Sequence, residues 1–348
     1  MIKINRADLT RFFDTIAEKM PLFLPVKKAG EVNYVPYAAG AEVALDTLKT
    51  VKSAKDFFFP QSETMMKFKK DGKNLEIIDV REEKGPFVLF GVRACDYASF
   101  AILDNVFLQE PVDTFYKSRR DAAVVFTLAC GRPEESCFCK VFDIDAADPK
   151  GDVTCFLTAD SLYLRVNTEK GASVLSLYNN GEETDGKEVE KQQKETREII
   201  EKLPFSHLDL SKFKEENLKE LFASSDWQGL SEACLGCGAC TFVCPTCQCF
   251  DIREFKTHQG VVRFRCWDSC MYSDFTQMAA ANPRTTQMQR FRQRFMHKLV
   301  YYPSQYGGIY SCVGCGRCVN KCPQHLNIVK VIKGNCRNFA LYKLFDSA

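Results

Sequence analysis

The chain has 348 residues, with 47 Lys and Arg against 45 Asp and Glu, so its formal net charge is +2 at pH 7. Its length predicts two or three domains and permits at least one sizeable core. It has no apolar run long enough to span a bilayer, and its first residues lack the apolar segment of a signal peptide. We therefore expect a cytoplasmic protein that does not enter a membrane.

The 18 cysteines are expected to bind metal rather than form disulfides, because the cytoplasm is reducing. Residues 227–348 carry 15 Lys and Arg against 6 Asp and Glu. We expect part of this positive surplus to balance anionic metal–thiolate sites rather than to bind nucleic acid.

The apolar pattern of the first 225 residues predicts a mixture of strands and helices. Continuous apolar runs at Phe87–Val92 and Ala122–Ala129 indicate strands that are buried on both faces. Other periodicities predict helices over Asn5–Met20, Tyr97–Asp104, Glu188–Leu203 and Leu210–Phe222, and strands over Pro21–Val26, Glu31–Pro36, Val153–Leu157, Leu162–Val166 and Ser173–Tyr178. We therefore predict an α/β or α+β domain over residues 1–225, with a linker near residues 223–229.

Two cysteine runs dominate the remaining residues, 226–348. They are Cys234-Leu-Gly-Cys237-Gly-Ala-Cys240-Thr-Phe-Val-Cys244-Pro245 and Cys312-Val-Gly-Cys315-Gly-Arg-Cys318-Val-Asn-Lys-Cys322-Pro323. Each has the Cys-x2-Cys-x2-Cys-x3-Cys-Pro spacing with which bacterial ferredoxins bind [4Fe–4S] clusters, and in two-cluster proteins the fourth cysteine ligates the other cluster. Zinc and disulfides are the alternatives, but two complete copies with the proline favour clusters. Iron–sulfur clusters are oxygen-sensitive, so an anaerobic host is also expected.

This crossover, in which each run gives its fourth cysteine to the other cluster, assigns Cys234, Cys237, Cys240 and Cys322 to one cluster. It assigns Cys312, Cys315, Cys318 and Cys244 to the other. The 68 positions between Cys244 and Cys312 are many more than in a compact bacterial ferredoxin, and residues 271–300 are helical in composition. We therefore predict an all-α, helical ferredoxin domain over residues 226–348.

Four cysteines of the first domain form a candidate third site: Cys95, Cys130, Cys137 and Cys139. Two of them follow predicted buried strands, and open α/β sheets place functional groups at the carboxyl ends of their strands. A third cluster or a zinc ion would use these thiols, whereas the alternative is that Cys95 and Cys130 are small core residues.

Six further cysteines are not needed for these three sites. Cys247, Cys249, Cys266 and Cys270 either bind zinc, with His258 as a spare ligand, or pack against the clusters. Cys155 and Cys336 stand alone and are expected to be structural.

Several motifs are absent from the sequence. There is no Gly-x-Gly-x-x-Gly after a strand and no Walker loop, so we expect this chain alone to bind neither flavin nor nicotinamide. We also expect no substrate-reducing site and no catalytic residue. The basic residues of the predicted helix near 290 are expected to form a solvated face or a docking surface for an acidic partner, and they are Arg284, Arg290, Arg292, Arg294 and Lys298.

The order of motifs resembles one family along nearly the whole chain. The motifs are Phe87-Val-Leu-Phe-Gly-Val-Arg-Ala-Cys-Asp96, Ser136-Cys-Phe-Cys139, Cys244-Pro-Thr-Cys-Gln-Cys249, Trp267-Asp-Ser-Cys270 and the two cluster runs. The chain is similar to the iron–sulfur subunit of anaerobic sulfite reductase and to the beta subunit of sulfhydrogenases. Arg93 stands where His is expected in this motif, which leaves the role of that position open.

The resemblance implies an electron-transfer subunit of a larger complex. A flavoprotein subunit with FAD would collect electrons from NAD(P)H, and a catalytic subunit with sirohaem or a nickel–iron site would use or supply them. It also favours a third cluster at the N-terminal cysteines. The alternatives are a metal-stabilised module that binds a protein or nucleic acid, and a free-standing reductase with a substrate site in the first domain.

Overall fold

The computed structural model describes residues 1–81, 85–258 and 260–334. The chain divides into two compact units, and neither is continuous in sequence. The first comprises Met1–Gln61, Asp79–Ser206 and the short segment Val313–Cys315. The second comprises Ser62–Ile78, His207–Cys312 and the residues from Gly316 onward.

The described residues form strands and helices that alternate along most of the chain. The strands are β1 (Ile2–Asn5), β2 (Leu22–Lys28), β3 (Glu31–Pro36), β4 (Ser62–Asp71), β5 (Asn74–Asp79), β6 (Phe87–Val92), β7 (Ala123–Leu128), β8 (Val153–Leu157), β9 (Ser161–Val166), β10 (Glu182–Glu183), β11 (Phe250–Thr257) and β12 (Gly260–Trp267). The helices are α1 (Leu9–Ala17), α2 (Ala94–Phe107), α3 (Thr114–Ala122), α4 (Glu169–Leu175), α5 (Lys187–Glu201), α6 (Leu218–Ala223), α7 (Asp226–Ser231), α8 (Ala239–Phe242), α9 (Gln287–Met296), α10 (Tyr302–Gln305), α11 (Arg317–Lys321) and α12 (Ile328–Lys333), with a π-helical segment, His297–Tyr301, between α9 and α10.

The first unit is built on an eight-stranded sheet in the order β10-β1-β9-β8-β7-β6-β2-β3. Strands β2, β6, β7 and β8 are parallel, and the flanking pairs are antiparallel. Every residue of β6 and β7 is buried, as their continuous apolar runs predict. The carboxyl ends of these two strands lead into the segments that carry Cys95 and Cys130.

Helix α1 covers one face of this sheet with aromatic side chains. Phe12 and Phe13 are buried, and the Phe13 and Phe90 rings meet edge to face with 5.1 Å between their centroids. Tyr178 packs edge to face on Phe12 at 5.2 Å. Fully burying each such ring contributes about 1.5–3 kcal/mol, so this cluster holds the helix on the sheet.

The predicted elements of the first domain are mostly confirmed, and the misses have local causes. The predicted strand over Ser173–Tyr178 is wrong, because α4 runs to Leu175. The Thr168 hydroxyl accepts a hydrogen bond from the Gly171 amide at 3.2 Å, and this N-cap starts the helix. The predicted helix over Leu210–Phe222 is helical only in its last part, where α6 follows a short 3-10 turn.

The second unit contains a four-stranded sheet in the order β11-β12-β4-β5. The prediction that residues 226–348 are all helical is therefore wrong for β11 and β12, which pair as an antiparallel hairpin over eight residues. Strand β12 gains a second antiparallel partner in β4. The side chains of Glu63 on β4 and Arg265 on β12 form an ion pair that is almost completely buried.

Short helices surround the cysteine runs in the second unit. Gly238 and Gly316 adopt left-handed backbone conformations immediately before α8 and α11, so Cys240 and Cys318 each lie in the first turn of a helix. Among the described residues, no helix combines the length and the apolar character needed to cross a membrane.

Candidate cluster sites

Four cysteines from the two runs line one cavity of the second unit. Cys234, Cys237 and Cys240 of the first run face it together with Cys322 of the second run. Cys237 is exposed, and the other three are partly buried. The structure therefore brings together the four thiols that the crossover assigns to one cluster.

Hydrogen-bond donors reach the sulfur atoms of this cavity. The Leu326 amide donates to the Cys322 sulfur at 3.2 Å, and the Gln287 side-chain amide donates to the Cys234 sulfur at 3.6 Å. N–H donors to cluster sulfurs stabilise the anionic, reduced state and tune the reduction potential. Four thiols with N–H donors at two of them fit the requirements of a [4Fe–4S] cluster.

Two glycines give the first run its turn. Gly236 and Gly238 have φ values of +66° and +72°. A Cβ atom at Gly238 would lie 2.6 Å from the Tyr272 hydroxyl oxygen, and that hydroxyl donates to the Cys237 carbonyl at 3.1 Å. Only glycine fits at this position. The glycines between the cysteines therefore allow the turn that brings the closely spaced cysteines to one cavity.

The second predicted ligand set has members in both units. Cys312, Cys318 and Cys244 belong to the second unit, and Cys315 belongs to the first. The Cys244 sulfur lies 3.2 Å from the Thr246 hydroxyl oxygen. Burial raises the pKa of the Cys318 thiol, while Arg294, which is hydrogen-bonded to it, acts in the opposite direction. Cys244 is also close enough to Cys318 to influence that pKa.

The expectation of an exposed basic helix near residue 290 is wrong for two of its members. Arg294 and Lys298 are each only 3% exposed. Arg290 donates to the backbone oxygens of Arg284 and Met271. Arg292 lies on the outer face of the helix and packs over an aromatic ring, with its guanidinium carbon 3.6 Å from the Phe222 ring centroid.

Three thiols of the N-terminal group influence one another in the first unit. Burial, with smaller contributions from Cys130 and Cys137, raises the pKa of Cys139 to about 12. Cys95 lies in the first turn of α2 and packs against the small cluster that contains Cys130 and Cys139. Cys95, Cys130 and Cys139 therefore lie close together in the first unit, and Cys137 is near enough to influence the pKa of Cys130 and of Cys139.

A lysine accompanies the N-terminal thiols. The Lys49 ammonium donates to Glu134 Oε2 at 2.8 Å and to Ser136 Oγ at 2.7 Å. Burial opposes its charge, yet Cys137, Glu134 and Cys315 together raise the pKa of Lys49. An ion pair of Lys49 and Glu134 therefore lies beside the N-terminal thiols.

Arg93 is buried, and its guanidinium donates to three backbone oxygens. The acceptors are Ala129 at 2.8 Å, Leu45 at 2.6 Å and Thr47 at 2.9 Å. Burial raises the pKa of the Cys130 thiol, and Arg93 is the largest opposing influence. Arg93 therefore fixes the backbone next to Cys130 and places a positive charge beside it.

The segment Val313–Cys315 packs directly on the Cys137–Cys139 loop in the first unit. The Phe138 amide donates to the Gly314 carbonyl at 2.9 Å. A Cβ atom at Gly314 would lie 2.4 Å from the Phe138 carbonyl carbon, so no side chain fits between the two backbones. Cys315 and the candidate third site are therefore neighbours.

The remaining cysteines do not form the single group that the sequence suggests. Cys270 is hydrogen-bonded to Cys249, and Cys247 lies close to both. Cys266 on β12 is instead influenced by Arg253, Asp251 and Asp268.

His258 cannot complete a site with Cys249. It follows the outer end of β11, about 30 Å along the strand from Cys249 at roughly 3.3 Å per residue. Cys155 is fully buried in the core of the first unit, which confirms its structural role. Cys336 lies outside the described residues. Within the described ranges, no three or more His, Cys, Asp or Glu side chains converge as ligands of a single metal ion.

Several residues around these sites cannot be found from the sequence. Lys49 and Gln287 carry no motif, because each reaches its cysteine partner through tertiary packing, whereas Thr246 lies within the Cys244–Cys249 motif, two residues from Cys244. Arg294 and Lys298 stand out as basic residues, but the sequence assigns them to the wrong side of their helix. The close spacing of Phe291, Arg294, Phe295 and Lys298 is the one local signal that all four share a buried face.

The comparisons with known proteins agree with these observations. Residues 233–326 match the family described as 4Fe-4S dicluster domain. The chain is 31% identical over 338 residues to the sulfhydrogenase 2 subunit beta of Pyrococcus furiosus, and the aligned region covers 95% of this chain and 97% of that relative. No solved structure gives a significant match to the chain.

Proposed function

Because the chain belongs to the family of sulfhydrogenase beta subunits and carries a 4Fe-4S dicluster domain, we propose that it relays electrons between other subunits of an oxidoreductase complex. Electrons would pass one at a time through its clusters. Outer-sphere transfer requires neither a general acid nor a general base, so the protein's part is to hold the clusters and tune their potentials.

The cavity lined by Cys234, Cys237, Cys240 and Cys322 is the observation that carries this proposal. It joins ligands from both runs, as two-cluster ferredoxins do. The second cluster would use Cys312, Cys315, Cys318 and Cys244, which the spacing of the runs supports. Each cluster, when bound, supplies the reversible one-electron step.

A third cluster at Cys95, Cys130, Cys137 and Cys139 is part of the proposal. The support is that these thiols lie together, with Arg93 and Lys49 supplying positive charge. The backbone hydrogen bond from Phe138 to Gly314, which lies next to Cys315, supports electron exchange between this site and the cluster that includes Cys315.

The partners are proposed from the family. A flavoprotein subunit would exchange electrons with NAD(P)H, and a second partner would contain the catalytic site. The similarity to a sulfhydrogenase beta chain supports a nickel–iron partner. The motif set is shared with the iron–sulfur subunit of anaerobic sulfite reductase, so a sirohaem partner is the competing assignment.

Anaerobic purification of the intact complex through a tag on this chain tests the proposal. We expect a flavoprotein and a catalytic subunit to co-purify, and we expect the clusters to be reduced and reoxidised reversibly, as followed by electron paramagnetic resonance (EPR). Hydrogen evolution against sulfite reduction then distinguishes the two catalytic partners. Zinc in place of iron, or clusters that cannot be reduced in the native complex, would favour a structural metal-binding module instead.

A further inference from the structure

Two buried cations lie on one face of the helix that packs against the first cysteine run. Arg294 lies in the last turn of α9 and Lys298 follows in the π-helical segment, four residues later. Each is 3% exposed. A buried charge is costly unless it is paired, so each requires a negative partner.

The Arg294 guanidinium contacts both cysteine runs. It lines the cavity of Cys234, Cys237, Cys240 and Cys322, and its Nη2 donates to the Cys240 carbonyl at 3.3 Å. It is also hydrogen-bonded to Cys318 of the second run. Its Nε atom is buried and finds no acceptor within the described part of the chain.

Lys298 lies next to Cys244, a member of the second predicted ligand set. Its ammonium donates to Thr246 Oγ1 at 2.7 Å and to the Ser311 carbonyl at 3.0 Å. The Thr246 hydroxyl donates to the same Ser311 carbonyl at 2.9 Å, and its oxygen lies 3.2 Å from the Cys244 sulfur. Lys298 therefore places its charge near Cys244 and fixes the Thr246 hydroxyl beside it.

The negative groups around both cations are cysteine sulfurs. Cys240 and Cys318 lie beside Arg294, and Cys244 and Cys247 lie beside Lys298. Among the described residues, neither cation forms an ion pair with a carboxylate. Four thiolates around a cluster therefore provide the counter-charge that these two side chains need.

We propose that Arg294 and Lys298 are positioning residues that set the reduction potentials of the two clusters of the second unit. This rests on the proposed function. Reduction adds one electron to a cluster and neither forms nor breaks a bond, so a fixed positive charge nearby favours the reduced state. Arg294 acts on both clusters, whereas Lys298 acts on the cluster that includes Cys312, Cys318 and Cys244.

Redox titration of the full-length chain, purified anaerobically and followed by EPR, tests this assignment. In Arg294→Gln, the ratio of reduced to oxidised cluster at a fixed potential should fall about tenfold for both clusters, which corresponds to a shift of about 59 mV to lower potential. In Lys298→Gln, only one signal should shift, and it should be the signal that is lost in Cys318→Ala. Equal shifts of both signals in Lys298→Gln would contradict the spatial assignment.

Matched variants separate charge from packing. Arg292→Gln removes the same charge from the outer face of α9, where Arg292 contacts Phe222, and both potentials should stay at their wild-type values. Arg294→Lys keeps the charge and should keep both clusters near their wild-type potentials. Thr246→Val removes only the hydroxyl at Cys244 and should shift the Lys298-dependent signal by less than Lys298→Gln does.

Cluster loss is also informative. If Arg294→Gln binds no iron while Arg294→Lys binds a full complement, the charge is required for assembly and the proposal is supported. If both variants lose iron, or if Arg294→Gln keeps wild-type potentials, the proposal is wrong although the chain still relays electrons. If the wild-type chain itself holds no reducible cluster, the proposed function fails instead.

Discussion

At the scale of single residues, the crossover of ligands makes an asymmetric prediction. Cys240→Ala and Cys322→Ala should abolish the same EPR signal, although the two residues lie 82 positions apart, because both line one cavity. Cys318→Ala, four positions from Cys322, should abolish the other signal. Loss of the same signal in Cys322→Ala and Cys318→Ala would instead show that each run binds its own cluster.

The turn at Gly238 can be tested by comparison with a second left-handed glycine. Gly238→Ala and Gly307→Ala both place a Cβ at positive φ, which costs about 1–2 kcal/mol. At Gly307 the new atom meets nothing within 4 Å, whereas at Gly238 it would lie 2.6 Å from the Tyr272 hydroxyl. We expect Gly238→Ala to lose its cluster faster in a chelator assay.

Equal rates of iron release from the two alanine variants would contradict this prediction. The contact between Gly238 and Tyr272 would then have no role in stabilising the turn of the first cysteine run. Combining Gly238→Ala with Tyr272→Phe removes the clashing oxygen and should recover part of the loss.

At the scale of elements, the sequence predicts local patterns well and tertiary context poorly. The cysteine runs are recognisable because their spacing is itself the ligand geometry. Strands β6 and β7 are recognisable because burial on both faces leaves a continuous apolar run. The hairpin of β11 and β12 is not, because Ile252 and Phe255 on β11 are exposed and give no clean alternation.

Helix α9 is predicted from the sequence, but the burial of its basic residues is not. Phe291 and Phe295 correctly predict a helix, but charge alone places Arg294 and Lys298 in solvent. They are buried because cysteine sulfurs from two distant segments surround them. The partner of a buried cation is decided by the fold, so only the structure identifies it.

The buried ion pair between β4 and β12 gives a prediction at the same scale. Glu63 and Arg265 are 5% and 1% exposed, so removing the charge of one leaves the other charge buried without this partner. Glu63→Gln should lower the free energy of unfolding by about 3–5 kcal/mol, and Glu63→Leu with Arg265→Met should cost less. Urea unfolding monitored by circular dichroism measures both.

An exposed pair in the same sheet supplies the control. Arg263 and Glu254 are 44% and 39% exposed, so Glu254→Gln should cost at most about 1 kcal/mol. Equal losses for Glu63→Gln and Glu254→Gln would show that the buried pair does not hold β4 on β12.

At the scale of the whole molecule, most of the cysteines can be grouped by their surroundings. Eight belong to the two runs, four more (Cys95, Cys130, Cys137 and Cys139) belong to the first unit, and Cys155 lies in the core of that unit. The positive surplus of residues 227–348 has a structural use, since Arg294 and Lys298 are buried among sulfurs. A chain with anionic clusters needs such cations inside, where a net charge of +2 does not reveal them.

The iron content of the anaerobically purified chain decides between two and three clusters. Three clusters require about twelve irons and as many acid-labile sulfides per chain, and two require about eight. We expect about twelve, because Cys95, Cys130, Cys137 and Cys139 lie together beside Lys49 and Arg93. Cys139→Ala should then lower the count by about four without changing the signals that Cys240→Ala and Cys318→Ala abolish. About eight irons in the wild-type chain, unchanged in Cys139→Ala, would make these thiols structural.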